Sequence, residues 1–342
     1  MGIIDPSEIS QFEYNNSKQI TGKLQGFIYR QEMTGEMDQA EMKKQKSMIS
    51  KDREQRQLSK QEEVKSEIVR DPLKLRLLEA SCERGASNWL TVLPLESDGF
   101  ALNKQEFTDA IRLRYGWSLD RVPMNCPCGA TFTVQHAMAC KKGGFIHARR
   151  PRHNEVRDIT ANLLSEVCND VAVEPILQPL TGEKFRYRTA NRSAEARLDV
   201  SARGFWTRGQ RTFCDVRVFD PSAPRLLSKP LSSTYVDHEQ EKRRAYNQRV
   251  LQIEHGSFTP LVFSIFGGMS PECNRFYSRL SLLLSEKRNE NQSLTTSWVR
   301  CRISFSLLRS ALLCMRGSRT AKPQTATYDT TISLVADEAR LS

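Results

Sequence analysis

The sequence contains no run of about 18 apolar residues, the length that a bilayer-spanning helix needs. Its first residues form no apolar segment of the kind that opens a secretory signal, so we expect a reducing intracellular compartment. Pro6 stands where an acylated N-terminus favours Ser or Thr, so we expect no lipid anchor. These absences argue against a secreted or membrane protein. The sequence also has no internal repeat.

The nine cysteines divide into two groups. Those without mutual spacing are interpreted as core thiols: Cys82, Cys168, Cys214, Cys273, Cys301 and Cys314. The others stand with one histidine in the spacing C-x-C-x7-H-x3-C, at Cys126, Cys128, His136 and Cys140. Four such ligands close a tetrahedral shell and leave no position for water, so the cluster predicts a structural zinc ion.

The basic excess lies in the second part of the chain. The 342 residues carry a formal net charge of +11, with a pI near 9.3. Residues 1–120 hold 18 basic and 20 acidic side chains, whereas residues 121–342 hold 33 and 20. A basic surface of this kind predicts a polyanionic partner, and any nucleic-acid contact is expected after residue 120.

The N-terminal third divides into three predicted segments. Residues 1–30 have little periodicity and are expected to be poorly ordered. Residues 32–67 favour helix by composition but have few apolar positions, which indicates a solvated charged arm or, alternatively, a partner-binding helix. Residues 71–121 are richer in apolar side chains and form a small helical linker, in which Asn103 caps a helix that extends to Tyr115.

The remaining chain alternates helical and strand-like patterns. Helices are predicted at residues 154–168, at 238–248, and around Leu280 and Leu307. Strands are predicted where β-branched and aromatic residues concentrate, at residues 171–176, 196–200, 212–219, 250–253 and 260–266. This order predicts an α/β fold with a mixed sheet flanked by helices.

Two aspartates stand within predicted strands, Asp199 and Asp215, each preceded by an apolar residue. A partly buried carboxylate needs a cation or hydrogen bonds to stay ionised, and two of them on neighbouring strands suit Mg²⁺. Glu174 is a candidate third ligand. Lys242 and Tyr246 lie one helical turn apart, so both could face the carboxylates, the lysine stabilising phosphate charge. Alternatively, Lys242 is a solvated charge and Tyr246 a core residue.

A basic segment precedes the predicted helix at 154–168. Arg149, Arg150 and Arg152 are candidates for binding DNA phosphates, with His153 and with Asn154 as the helix cap. Alternatively, His153 is an ordinary hydrogen-bonded histidine. Residue types alone do not separate these interpretations.

From about Trp89 to Arg319 the chain resembles the C-terminal region of site-specific LINE-type non-LTR retrotransposon proteins. In those proteins a CCHC zinc knuckle precedes a restriction-endonuclease-like domain. The resemblance rests on an ordered series of motifs: the Cys126–Cys140 cluster, Arg152-His153-Asn154 with Asp158, Glu174-Pro175, Asp199, Asp215-Val216-x-Val218, Lys242 and Tyr246.

The resemblance implies a PD-(D/E)xK fold and metal-dependent nicking of a DNA target, whose 3′ end then primes reverse transcription. Asp199 and Asp215 would be the Mg²⁺ or Mn²⁺ carboxylates, Lys242 the displaced catalytic lysine and Tyr246 its companion. The Arg152-His153-Asn154 segment would position DNA. The partner is therefore expected to be DNA, with RNA or a DNA–RNA hybrid left open, and the location the nucleus.

The chain also departs from that family. Leu198 replaces the usual proline before the first acid, and Arg217 replaces the lysine two residues after the second, where it is expected to contact DNA instead. No polymerase aspartate pair is recognisable, since Tyr235-Val-Asp237-His lacks the second acid. The chain is therefore interpreted as a fragment, a truncated copy or a co-opted domain. An alternative to the nuclease is a catalytically decayed nucleic-acid-binding relic.

The predicted domain organisation follows these motifs. It comprises a charged arm at 1–70, a helical linker at 71–121, a zinc knuckle at 122–150, an endonuclease-like domain at 151–320 and a disordered tail at 321–342.

Overall fold

The computed structural model describes residues 6–31, 39–122, 124–126, 128–140 and 145–316. They belong to two compact units that divide between Asp71 and Pro72. The predicted tail at 321–342 lies outside the described residues. Among the described helices, none is both long enough and apolar enough to cross a bilayer.

The first unit is a pair of helices, α1 (Pro6–Arg30) and α2 (Gln39–Ile68). Polar contacts join them: Arg53 Nε donates to Glu13 Oε1 at 2.9 Å, and the Arg56 guanidinium lies 3.5 Å from the Phe12 ring centroid. The sequence of residues 1–30 has little periodicity, yet the structure has a helix over Pro6–Arg30. An ion pair and a cation–π contact hold α1 against α2. Neither interaction requires apolar residues at regular spacing, so the sequence pattern does not reveal it.

The second unit combines helices with one sheet. Its helices are α3 (Pro72–Cys82), α4 (Asn88–Thr91), α5 (Lys104–Tyr115), α6 (Val134–Ala139), α7 (Phe145–Val167), α8 (Leu231–Gln252), α9 (Pro271–Arg288) and α10 (Gln292–Arg316), with a 3-10 turn at Pro224–Leu226. Its strands are β1 (Asn169–Val173), β2 (Val200–Arg203), β3 (Arg211–Phe219) and β4 (Ser257–Ser264). This is the mixed α/β architecture that the sequence predicts.

The sheet has the order β1-β2-β3-β4. Pairing is antiparallel between β1 and β2 and between β2 and β3, whereas β3 and β4 are parallel. A parallel pair needs a crossover connection, and α8 supplies it. Residues of β3 alternate between the two faces of the sheet. Cys214 and Val216 join a core with α7, α9 and α10, while Phe213 packs with Val250 of α8.

The predicted element bounds are correct in some places and wrong in others. The predicted cap of α5 is confirmed, because Asn103 Oδ1 accepts from the Glu106 N–H and Glu106 Oε2 accepts from the Asn103 N–H. The predicted strand at 250–253 is wrong. Val250 is fully buried within α8, and a short apolar run of this kind suits a buried helix end as well as a strand.

Two further bounds differ from the prediction. The strand expected at 196–200 begins only at Val200, because the preceding residues form a single bridge, Ile176 with Arg197. The helix expected from Asn154 begins at Phe145, so Asn154 lies inside α7 and is not its cap. Strand pairing thus determines where β2 begins, and α7 has additional turns before Asn154.

Candidate functional site

The first half of the zinc cluster is a tight turn. Asn125 and Thr131 form a bridge, and the Cys126 N–H donates to Ala130 O at 2.8 Å. Gly129 closes the turn with a φ of 90°, a conformation that side chains with a Cβ disfavour. This turn sets Cys126 and Cys128 on one side of the cluster.

The second half is the helix α6. Thr133 caps it by accepting from the His136 N–H at 3.0 Å, and the Cys140 N–H donates to His136 O at 2.8 Å. His136 and Cys140 therefore lie one helical turn apart and project towards the same point. The capped helix thus explains why the two ligands of the H-x3-C pair lie close together.

The four ligand atoms lie within 4.8 Å of one another, so Cys126, Cys128, His136 and Cys140 could hold one metal ion such as zinc. The Cys126 and Cys140 Sγ atoms are 3.7 Å apart. Two sulfurs on a tetrahedral zinc, each at about 2.3 Å, would be about 3.8 Å apart. Cys128 Sγ lies 3.2 Å from His136 Nε2. The donor set and its spacing therefore fit a four-coordinate zinc ion.

A second cluster lies between β2, β3 and α8. Val200 pairs with Cys214 in the antiparallel ladder, and the Asp199 N–H donates to Cys214 O at 3.0 Å. Continuing this register by one residue sets Asp199 opposite Asp215, and opposite residues of an antiparallel pair are close neighbours. The hairpin geometry thus brings together two acids that are well separated in the sequence.

Lys242 of α8 completes this cluster. Its Nζ lies 2.5 Å from Asp215 Oδ2, in a close ion pair. The Asp215 side chain is 7% exposed. Burial raises the pKa of Asp215 to about 6; Lys242 lowers that pKa and Asp199 raises it, so burial and the second acid outweigh the lysine.

His153 of α7 contacts the other acid. Its Nε2 is 3.0 Å from Asp199 Oδ2, and the Val216 N–H donates to the same oxygen at 2.6 Å. Burial lowers the pKa of His153, but the hydrogen bond and the charge of Asp199 raise that pKa by more. His153 is therefore held beside Asp199 as a hydrogen-bonded partner. The structure shows the hydrogen-bonded histidine that was one of the two interpretations, and the contact of His153 with DNA stays a prediction.

Glu174 lies next to this cluster but directs its carboxylate elsewhere. Its N–H donates to Asp199 O at 2.9 Å. Its Oε1 accepts from Arg157, and Arg197 lies 4.0 Å from its Oε2. Arg157 also donates to Asp158 Oδ1 at 2.7 Å. The candidate third metal ligand is thus paired with arginines, and Arg157 is a neighbour that the sequence reasoning missed, although it lies one helical turn after His153.

Tyr246 and Arg217 each have a defined partner. The Tyr246 hydroxyl accepts from Asn191 Nδ2 at 3.3 Å, and its ring packs 6.0 Å from that of Phe258. Arg217 donates to Glu241 Oε1 at 2.9 Å. The role of Tyr246 as a companion of the lysine and the role of Arg217 in DNA binding therefore stay predictions.

The predicted DNA-binding arginines lie in the first turns of α7. The side chains of Arg149, Arg150 and Arg152 lie outside the described part of the chain. Their contacts with DNA stay predictions, as does that of Asn154.

No protein-family model matches the chain, and no curated protein matches it. The arrangement of Asp199, Asp215 and Lys242 is therefore the main guide to function.

Proposed function

We propose that residues 72–316 form a Mg²⁺- or Mn²⁺-dependent endonuclease unit with a PD-(D/E)xK restriction-endonuclease-like core. One observation carries the proposal: Asp199 just before β2, Asp215 of β3 and Lys242 of α8 converge at one place. The residue types suit a divalent cation, because Asp199 and Asp215 stand opposite each other and carboxylate oxygens are ligands that Mg²⁺ accepts.

The chemistry follows from the types of side chain. Mg²⁺ held by Asp199 and Asp215 would polarise a phosphodiester and activate water. Lys242, which is paired with Asp215, would stabilise the negative charge that develops on the phosphate. His153 and the Val216 N–H both engage Asp199 Oδ2, which fixes the orientation of that carboxylate. Preorganisation of this kind reduces the reorganisation needed during reaction.

DNA is the proposed substrate, with RNA or a DNA–RNA hybrid as alternatives. The basic excess after residue 120 supports a polyanionic substrate. The zinc cluster would supply a folded module in front of the nuclease core and take no part in the cleavage. The similarity to LINE-type retrotransposon proteins further suggests that the nick primes reverse transcription, in the nucleus.

A nicking assay tests the proposal. Supercoiled plasmid is incubated with the full chain and Mg²⁺ or Mn²⁺, and relaxed product is measured. Asp215→Asn is expected to abolish nicking, and Lys242→Met to reduce it at least about 100-fold. Arg208→Ala, an exposed change in the turn at the other end of the β2–β3 hairpin, is the control.

The alternative is the decayed relic, which would bind DNA without cutting it. DNA binding that is independent of metal, with no nicking by the wild-type chain under either cation, would support the relic and contradict the nuclease. Nicking that survives Asp215→Asn would place the activity elsewhere.

A further inference from the structure

Residues 178–197 connect β1 to β2 and form a strongly basic loop. The loop carries five cations and two acids, Glu183 and Glu195. Four of the cations are exposed and fall within nine residues: Lys184, Arg186, Arg188 and Arg192. Exposed cations at this density are the surface that a phosphate backbone recognises.

The loop is held in place by a buried arginine. Arg249 of α8 is 1% exposed, and its guanidinium donates to three loop carbonyls. The acceptors are Asn191 O at 3.1 Å, Ser193 O at 2.8 Å and Gln178 O at 2.7 Å. A buried guanidinium that satisfies three carbonyls fixes the backbone of a loop that has no secondary structure of its own.

Further hydrogen bonds join the loop to the same helix. The Asn191 N–H donates to Ala245 O at 2.9 Å, and Asn191 Nδ2 donates to the Tyr246 hydroxyl at 3.3 Å. The Arg186 N–H donates to Gln248 Oε1 at 2.9 Å. The Tyr246 hydroxyl thus helps to anchor this loop.

The anchoring residues share a helix face with Lys242. Positions 242, 246 and 249 are spaced by four and three residues, so they project from one side of α8. At about 1.5 Å per residue, Ala245 and Arg249 lie about 5 and 10 Å along the axis from Lys242. Each DNA strand carries one charge per about 3.4 Å of its axis, so the two anchoring positions are offset from Lys242 by about the axial rise of one to three phosphates.

We infer that residues 178–197 form a preorganised phosphate-binding loop that grips the DNA backbone beside the bond to be cut. Arg186, Arg188 and Arg192 contact the phosphates, while Arg249 and Tyr246 position the loop. The inference rests on the proposed function for its DNA substrate and for the position of the cut. The binding itself does not depend on catalysis.

The test is the salt dependence of DNA binding. A fluorescent duplex of about 30 base pairs is titrated with the zinc-loaded full chain, without Mg²⁺ or Mn²⁺, at several salt concentrations, by anisotropy. Each lost phosphate contact makes the slope of log K against log salt less steep by about 0.9. The combined variant Arg186→Ala, Arg188→Ala, Arg192→Ala is therefore expected to lose about two to three from the slope.

Arg208→Ala is the matched control, because it removes an exposed arginine from the far end of the β2–β3 hairpin. It should keep the wild-type slope. A triple variant with the wild-type slope and affinity overturns the inference, and so does a wild-type chain that binds no duplex. Nicking with Mg²⁺ is measured separately. If the triple variant changes the slope but the wild-type chain does not nick DNA, the nuclease proposal fails and the loop inference stands. If the wild-type chain nicks DNA but the triple variant keeps the wild-type slope, the loop inference fails and the nuclease proposal stands.

Discussion

Asp215→Asn should stabilise the fold at neutral pH while it removes the proposed activity. The side chain lies between the sheet and α8, and asparagine keeps its shape without the charge. In the folded chain the pKa of Asp215 is raised to about 6, from an ordinary value of 3.8. Folding therefore favours the protonated form of this acid. The folded chain therefore loses stability as the pH rises from 3.8, the ordinary pKa of this acid, through about 6, its pKa in the folded chain.

The size of this loss follows from the shift. Each pKa unit corresponds to 1.36 kcal/mol, so the ionised acid destabilises the folded chain by about 3 kcal/mol above pH 6. Removing one partner of a buried ion pair has the opposite effect, because it leaves the other charge unpaired. Here the lysine side chain is 21% exposed and can turn towards water, whereas the acid is 7% exposed. We therefore expect a net stabilisation of about 1–3 kcal/mol at pH 8.

Urea unfolding at pH 8 and at pH 4, followed by circular dichroism, measures this difference. The variant should exceed the wild type at pH 8 and match it at pH 4, where the wild-type acid is protonated. A variant that is less stable than the wild type at pH 8 would refute the reasoning. Asp215 would then be a structural ion-pair residue, and the case for a functional carboxylate would weaken.

Two further predictions concern other parts of the second unit. Burial raises the pKa of Glu83 to about 7, and its Oε2 accepts from the Tyr235 hydroxyl at 2.8 Å. Glu83→Gln keeps an acceptor for the Tyr235 hydroxyl and removes the buried charge. It should therefore raise the free energy of unfolding by up to about 3 kcal/mol at pH 8 and leave it unchanged at pH 4. Parallel curves of unfolding free energy against pH for the variant and the wild type would contradict this. Cys140→Ser removes one ligand of the zinc cluster. The variant should hold less than one zinc ion per chain by mass spectrometry, and amide exchange over residues 128–140 should increase. The control Cys82→Ser, outside the cluster, should change neither quantity.

Local signals predicted the best-defined elements. The cap at Asn103 and the β-branched run of β3 are encoded within a few residues, so the sequence alone placed both. The end of α8 could not be predicted in this way. Its apolar run at 250–253 suits either a buried helix or a strand, and only contact with Phe213 and Phe258 selects the helix.

The candidate site was predictable in its chemistry but not in its partners. Strand context and motif order identified Asp199 and Asp215, and the spacing on α8 identified Lys242. The contact between His153 and Asp199 spans 46 residues, so its local sequence could not reveal it. The cations of the basic loop are close together in the sequence, but the anchoring of the loop could not be predicted, since Arg249 is 56 residues from Ser193.

The parallel pairing of β3 with β4 has a consequence for synthesis. Lys242 belongs to the crossover helix α8, which packs mainly against β4. As the chain leaves the ribosome, both acids emerge before the lysine, and the strand that supports α8 emerges last of these parts. A nascent chain that ends before Ser257 has no β4 against which α8 can dock. The three charged groups should therefore assemble only after translation has passed Ser264, so an incomplete chain would lack the assembled cluster.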